Sequence, residues 1–155
     1  MTGSILVIED SETKLASVVA ALKSMVPNYM VETAKSVRSA VAALENKSFS
    51  LIIADMSLPT FDVESRERGG TPRPFGGIEV FDYLMREGLT TPVLVVSSYP
   101  ALVEGSKSTP LEKLASDLAR DYPETYRGYV YFDSAYSNWE RQLMTHLERL
   151  SNEIL

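Results

Sequence analysis

Apolar residues follow two rhythms along this chain. Short unbroken runs alternate with longer stretches in which apolar positions recur every three or four residues. The runs Ile5–Ile8, Phe49–Ala54 and Pro92–Val96 show no polar alternation, so they predict strands covered on both faces. Tyr29–Thr33 is shorter and more polar and predicts an edge strand; Tyr129–Phe132 predicts a fifth. Between them, Ser11–Val26 places Leu15, Val18, Val19, Leu22 and Val26 at helical spacing, with Ser11 as N-cap and Pro27 as the stop. Ser36 caps a second predicted helix running to Glu45, with Val37, Val41 and Leu44 inward. Gly77–Glu87 predicts a third, with Ile78, Phe81 and Leu84 or Met85 inward and Gly88 as its C-cap. Leu111–Arg120 and Ser137–Leu150 predict two more.

Five strands alternating with five helices imply an α/β fold, an open doubly wound parallel sheet. One domain over residues 1–155 is expected, without internal repeats. The rhythm breaks once. Met56–Gly76 holds Pro59, Pro72, Pro74 and three glycines, with few large apolar residues, and a loop of that length in a compact domain needs a reason.

Composition narrows the function classes. The 155 residues are 45% hydrophobic and 23% charged, as in an ordinary globular domain. No cysteine is present, which excludes disulfides, thiolate metal sites and thiol nucleophiles, and the single His146 cannot build a multi-histidine centre. A net charge of −6 argues against nucleic acid as the main partner. No basic leader and no long apolar run is visible, so a cytoplasmic protein without a membrane segment is expected.

In open α/β sheets, ligands bind beyond the carboxyl ends of the strands, where the strand order reverses. Glu9 and Asp10 end the first predicted strand, Asp55 the third and Ser97 the fourth. Clustered carboxylates repel unless a cation joins them. A hard divalent ion such as Mg²⁺ is the natural partner, and a carboxylate beside it can act as a nucleophile towards phosphorus. Ser97 is placed to donate a hydrogen bond to the phosphoryl group.

The same residues resemble the receiver domains of two-component response regulators. Ile5-Leu6-Val7-Ile8-Glu9-Asp10 is similar to the family's first strand and acidic pair. Leu51-Ile52-Ile53-Ala54-Asp55, with Pro59 four residues on, resembles the strand bearing the phosphoacceptor. Asp62 fits the acid of the following loop, Gly77-Ile78-Glu79 the opening of the third helix, Pro92–Ser98 the fourth strand with its switch hydroxyl, and Gly128-Tyr129-Val130 the fifth strand with its switch aromatic. The resemblance implies a flavodoxin-like sheet of strand order 2-1-3-4-5. It further implies Asp55 as phosphoacceptor from a histidine kinase or phosphotransfer protein. Mg²⁺ would be bound by Glu9, Asp10, Asp55 and the main-chain carbonyl of Ser57, with Ser97 and Tyr129 as switch residues.

Two departures stand out. The family carries a lysine followed by proline after the fifth strand; here Phe132 and Asp133 occupy those places, so the cation that meets the phosphoryl group is expected to be missing and the acidic cluster uncompensated. Fourteen residues, Val63–Gly76, separate Asp62 from Gly77 where the family has them adjacent. Rich in Gly and Pro, this insertion reads as a disordered surface loop or as a lid or partner-binding loop beside Asp55; it carries Arg66, Arg68 and Arg73, one of which could fold inward as a substitute cation. Gly105–Arg127 is also longer than usual. Four of the eight tyrosines fall between Tyr122 and Tyr131, an aromatic patch that reads as core packing or a protein interface; Trp139 and His146 read as packing or surface.

The expectation is a stand-alone atypical receiver, not an enzyme, whose output passes through a downstream protein partner, self-association as a homodimer included. The alternatives are a phosphorylation-independent adaptor and a Mg²⁺-dependent phosphohydrolase. The lack of a general acid or base beyond carboxylates and one distant histidine weighs against the last.

Overall fold

The computed structural model describes residues 3–60, 62, 75–133, 135 and 138–151. Five parallel strands, β1 (Ser4–Ile8), β2 (Met30–Ala34), β3 (Leu51–Ala54), β4 (Val93–Ser97) and β7 (Tyr126–Tyr131), form a sheet of order β2-β1-β3-β4-β7. This is the expected 2-1-3-4-5 order of a doubly wound sheet, with β2 at the edge. Successive side chains on each strand point to opposite faces, so each apolar run feeds two cores. Ile5, Val7, Ile53, Leu94 and Val96 pack against helices α1 (Glu12–Met25) and α5 (Asn138–Ser151). Leu6, Ile8, Ile52, Val93 and Val95 pack against α2 (Val37–Asn46), α3 (Ile78–Arg86) and α4 (Leu111–Asp121).

The helix starts are chemically specified. The Ser11 hydroxyl accepts the Lys14 amide, and Ser36 forms a reciprocal capping box with Ser39. The chain beyond β3 docks on the start of α2: the Val37 and Arg38 amides donate to the Pro59 and Thr60 carbonyls at 3.0 and 2.8 Å. The Ser36 hydroxyl donates to Asp62 at 2.6 Å, tying the acid of this loop to the helix cap. Gly88 has φ +67°, the left-handed conformation expected of a C-cap glycine.

Three expectations are corrected. The fifth parallel strand begins at Tyr126, three residues before the predicted start, and ends at Tyr131. Strand β3 is shorter than the apolar run and begins at Leu51; Phe49 is buried ahead of it. A hairpin absent from the sequence reading follows β4: β5 (Ala101–Glu104) and β6 (Lys107–Pro110) pair antiparallel. Its inward pair is Leu102 and Thr109, and Gly105 turns it at φ +62°. Residues 63–74 of the insertion, including its three arginines, lie outside the described residues.

Candidate functional site

The sheet order reverses between β1 and β3, and there the carboxyl ends of both strands carry acids. Glu9, Asp10 and Asp55 each place a carboxylate oxygen within 4.8 Å of the others. Glu9 and Asp55 are 3% and 4% exposed; Asp10 is half-buried. With Ser11, Lys14, Ser57, Ser98 and Tyr99 they line a cavity of about 190 Å³.

The pairing inside this cavity overturns one expectation. The acidic cluster is compensated. Lys14, in the first turn of α1 and 4% exposed, sends its ammonium between the carboxylates, 2.8 Å from Glu9 Oε1 and 3.3 Å from Asp55 Oδ2. Its third bond goes to the Val96 carbonyl at 2.8 Å, which uses all three donors of the group. Position 132 indeed holds no cation. The Phe132 ring, buried and packed at a 45° tilt against Trp139 with a centroid distance of 4.8 Å, instead walls the ammonium at 5.8 Å.

The remaining carboxylate oxygens are also engaged. Glu9 Oε2 accepts the Ser11 amide at 3.0 Å, and Asp55 Oδ1 accepts the Met56 amide at 2.7 Å, with the Ser57 amide longer at 3.4 Å. Burial raises the Glu9 carboxyl to about 7, with the Asp55 charge adding to the rise and Lys14 opposing it. Burial also raises Asp55, against Lys14 and its two amide donors.

Backbone packing fixes the Asp55 turn. The Gly77 amide donates to the Met56 carbonyl at 2.8 Å. A Cβ on Gly77 would lie 2.4 Å from the Asp55 carbonyl oxygen and 2.8 Å from Met56 Cα, so only glycine lets α3 start this close beneath the acid.

The other sequence-derived site residues fall in two places. Ser57 lines the cavity beside Asp55. Ser97 is fully buried at the end of β4, and its hydroxyl both donates to the Tyr99 carbonyl and accepts the Tyr99 amide, each at 3.2 Å. Ser98, not Ser97, faces the cavity. Tyr129 stands on the far side of β4 from Asp55, half-buried, in a groove of about 510 Å³ between α4, β7 and α5. His146 Nε2 donates to the Tyr129 carbonyl there at 3.2 Å, and its Nδ1 accepts from Arg149.

Lys14 is the site residue that sequence reasoning missed. Its signal was available: it lies four residues before Val18 and eight before Leu22, inside the buried stripe of α1. A lysine in an apolar stripe five residues after a strand-terminal acid asks for a buried anion.

The donor set suits a hard divalent cation. Three carboxylates converge, Glu9 and the Asp55 Oδ2 atom each retain a lone pair beyond the bonds above, and Ser57 lines the cavity beside them.

A family model described as the response regulator receiver domain matches residues 5–109. The Detocs response regulatory protein DtcB of Vibrio alginolyticus is 26% identical over 147 residues, covering 93% of this chain and 99% of that protein. Its namesake from Enterobacter cloacae is 28% identical over 110 residues, 70% of this chain and 73% of that protein. Among solved structures, the chemotaxis response regulator CheY4 of Vibrio cholerae matches with a TM-score of 0.63 at 19% identity, over 97% of this chain and 99% of that one. The response regulator TrrA of Thermotoga maritima, in complex with Mg²⁺-BeF, matches with a TM-score of 0.58 at 14% identity, over 93% and 98%. At these identities the structural likeness carries the fold.

Proposed function

The chain belongs to the response regulator receiver family, and from that premise we propose that it is a signalling module whose Asp55 accepts a phosphoryl group. The observation that supports this most is the state of Asp55 itself. It is a buried carboxylate at the end of β3, held by an amide on one oxygen and an ammonium on the other, facing a small cavity shared with two further acids.

In the step proposed, an Asp55 carboxylate oxygen forms the new O–P bond. The bond from phosphorus to the donor breaks, and its electron pair leaves with the donor: with acetate from acetyl phosphate, or with an imidazole nitrogen of a histidine kinase or phosphotransfer protein, which then takes a proton from water. Glu9, Asp10, Asp55 and the Ser57 carbonyl would hold a Mg²⁺, which supplies positive charge against the phosphoryl oxygens. The Met56 amide fixes the orientation of the carboxylate before reaction. In this reading Ser97 exchanges its bonds to Tyr99 for one to the phosphoryl group, and Tyr129 carries the change to the α4–β7–α5 face and a downstream protein partner. The DtcB relatives are response regulatory proteins by name, which supports a regulatory role over turnover of a substrate.

The test is intact-mass spectrometry after incubation with Mg²⁺ and acetyl phosphate, wild type beside Asp55→Asn. One phosphoryl adduct on the wild type and none on the variant is expected. No wild-type adduct, or one that survives the substitution, overturns the proposal.

A further inference from the structure

We infer that Lys14, from the first turn of α1, is the residue whose charge meets the anion on Asp55. This inference rests on the phosphoacceptor reading and names a catalytic group for it. Lys14 is the only lysine or arginine among the described residues that line the cavity. Its three bonds are unequal. Those to Glu9 and to the Val96 carbonyl are 2.8 Å each, whereas that to Asp55 Oδ2 is 3.3 Å. The two short bonds anchor the ammonium to β1 and β4. The long one is the contact that a phosphoryl oxygen would take over.

Charge bookkeeping favours that exchange. Formation of the acyl phosphate removes the carboxylate charge of Asp55 and places negative charge on phosphoryl oxygens just beyond it. An ammonium already held beside Asp55 stabilises that charge as it develops, with little rearrangement of the protein. Phe132 strengthens the effect, because its ring and the Trp139 beneath it exclude water from one side of the ammonium.

The 5.8 Å between the Lys14 nitrogen and the Phe132 ring also means that positions 14 and 132 border one space. A lysine at either could put its nitrogen there, provided the other is apolar. In this chain the cation stands on the helix and a ring stands at position 132. The competing account is that Lys14 only neutralises two buried carboxylates. It predicts a loss of stability on substitution without a loss of anion binding.

The experiment is beryllofluoride binding in saturating Mg²⁺ by ¹⁹F NMR, with wild type, Lys14→Met and the exchanged pair Lys14→Met/Phe132→Lys. Weakening on the order of a hundredfold is expected in Lys14→Met, with most of it regained in the exchanged pair. A Lys14→Met protein that binds as tightly as wild type overturns the inference and leaves Asp55 as phosphoacceptor. If wild type binds none, both fall together. Should Lys14→Met not fold, the wild type decides alone: with lysine side-chain ¹⁵N labels, the Lys14 resonance must shift on adding beryllofluoride, and an unmoved resonance overturns the inference.

Discussion

At the rim where β1, β3 and β4 end, Glu9, Lys14, Asp55 and Ser97 are all nearly inaccessible, and each is held by defined polar partners. In the groove between α4, β7 and α5, the lining side chains Tyr129, Tyr131, Gln142, Thr145 and His146 are half-buried or exposed around more than twice the space. The first region is charged, tight and arranged in advance; the second is aromatic, open and adaptable. A site that must hold a reacting atom suits the first construction. A surface that must fit another protein suits the second.

The largest break in this contrast should come from Lys14→Met. Removing one partner of a buried ion pair strands the other charges and costs about 3–5 kcal/mol. Because the Glu9 carboxyl is already raised to about 7, protonation relieves most of that penalty in acid. Urea unfolding should therefore show a large loss at pH 8 and a much smaller one near pH 5. Equal losses at both would mean that Lys14 does not compensate these carboxylates.

Next comes Gly77→Ala. The new methyl would press on the backbone of Asp55 and Met56, atoms that cannot swing aside, so a cost of about 1–3 kcal/mol is expected in equilibrium unfolding. An unchanged midpoint would show that the Asp55 turn is not clamped.

A third measurement sharpens the electrostatics. The folded Glu9 holds its proton up to about pH 7, the unfolded one only to about 4.5. In that window the folded state binds more protons, so the Glu9 contribution to stability falls as pH rises through it. A divalent cation competes with that proton. Saturating Mg²⁺ should thus stabilise the fold more at pH 8 than at pH 6, by on the order of 1 kcal/mol, seen as a larger rise in melting temperature. The reverse order would argue against Glu9 as a ligand.

The smallest effect belongs to the groove. Gln142→Ala should change stability by less than about 0.5 kcal/mol, and calorimetric unfolding with a larger loss would show that the groove is packed after all.

How much of this was legible depended on how each element is stabilised. The central strands β1, β3 and β4 are buried on both faces, so Ile5–Ile8 and Val93–Val96 appear as unbroken apolar runs, and Ser11 and Ser36 announce the helices by capping chemistry. The acids at the rim follow from strand ends alone. The hairpin at β5 and β6 was missed because only Leu102 and Thr109 point inward, although Gly105-Ser106 between them is a recognisable two-residue turn. Lys14 was missed for a different reason: a helical periodicity reading counts lysine as polar, and the contact that makes it buried joins it to strands distant in sequence.

That last contact has a kinetic consequence. Lys14 and Val96 are 82 residues apart in sequence, and their bond requires α1 and β4 to be seated against an assembled β1 and β3. Loop closure over such a span is entropically expensive and forms late. Until the ammonium arrives, packing the ends of β1 and β3 together would bury Glu9 and Asp55 without their cation. The sheet is therefore expected to zip from its amino-terminal edge and close at the rim last. Lys14 is then a latch on the finished fold: losing it should speed unfolding and leave the folding rate nearly unchanged, as stopped-flow rates with and without Lys14→Met would show.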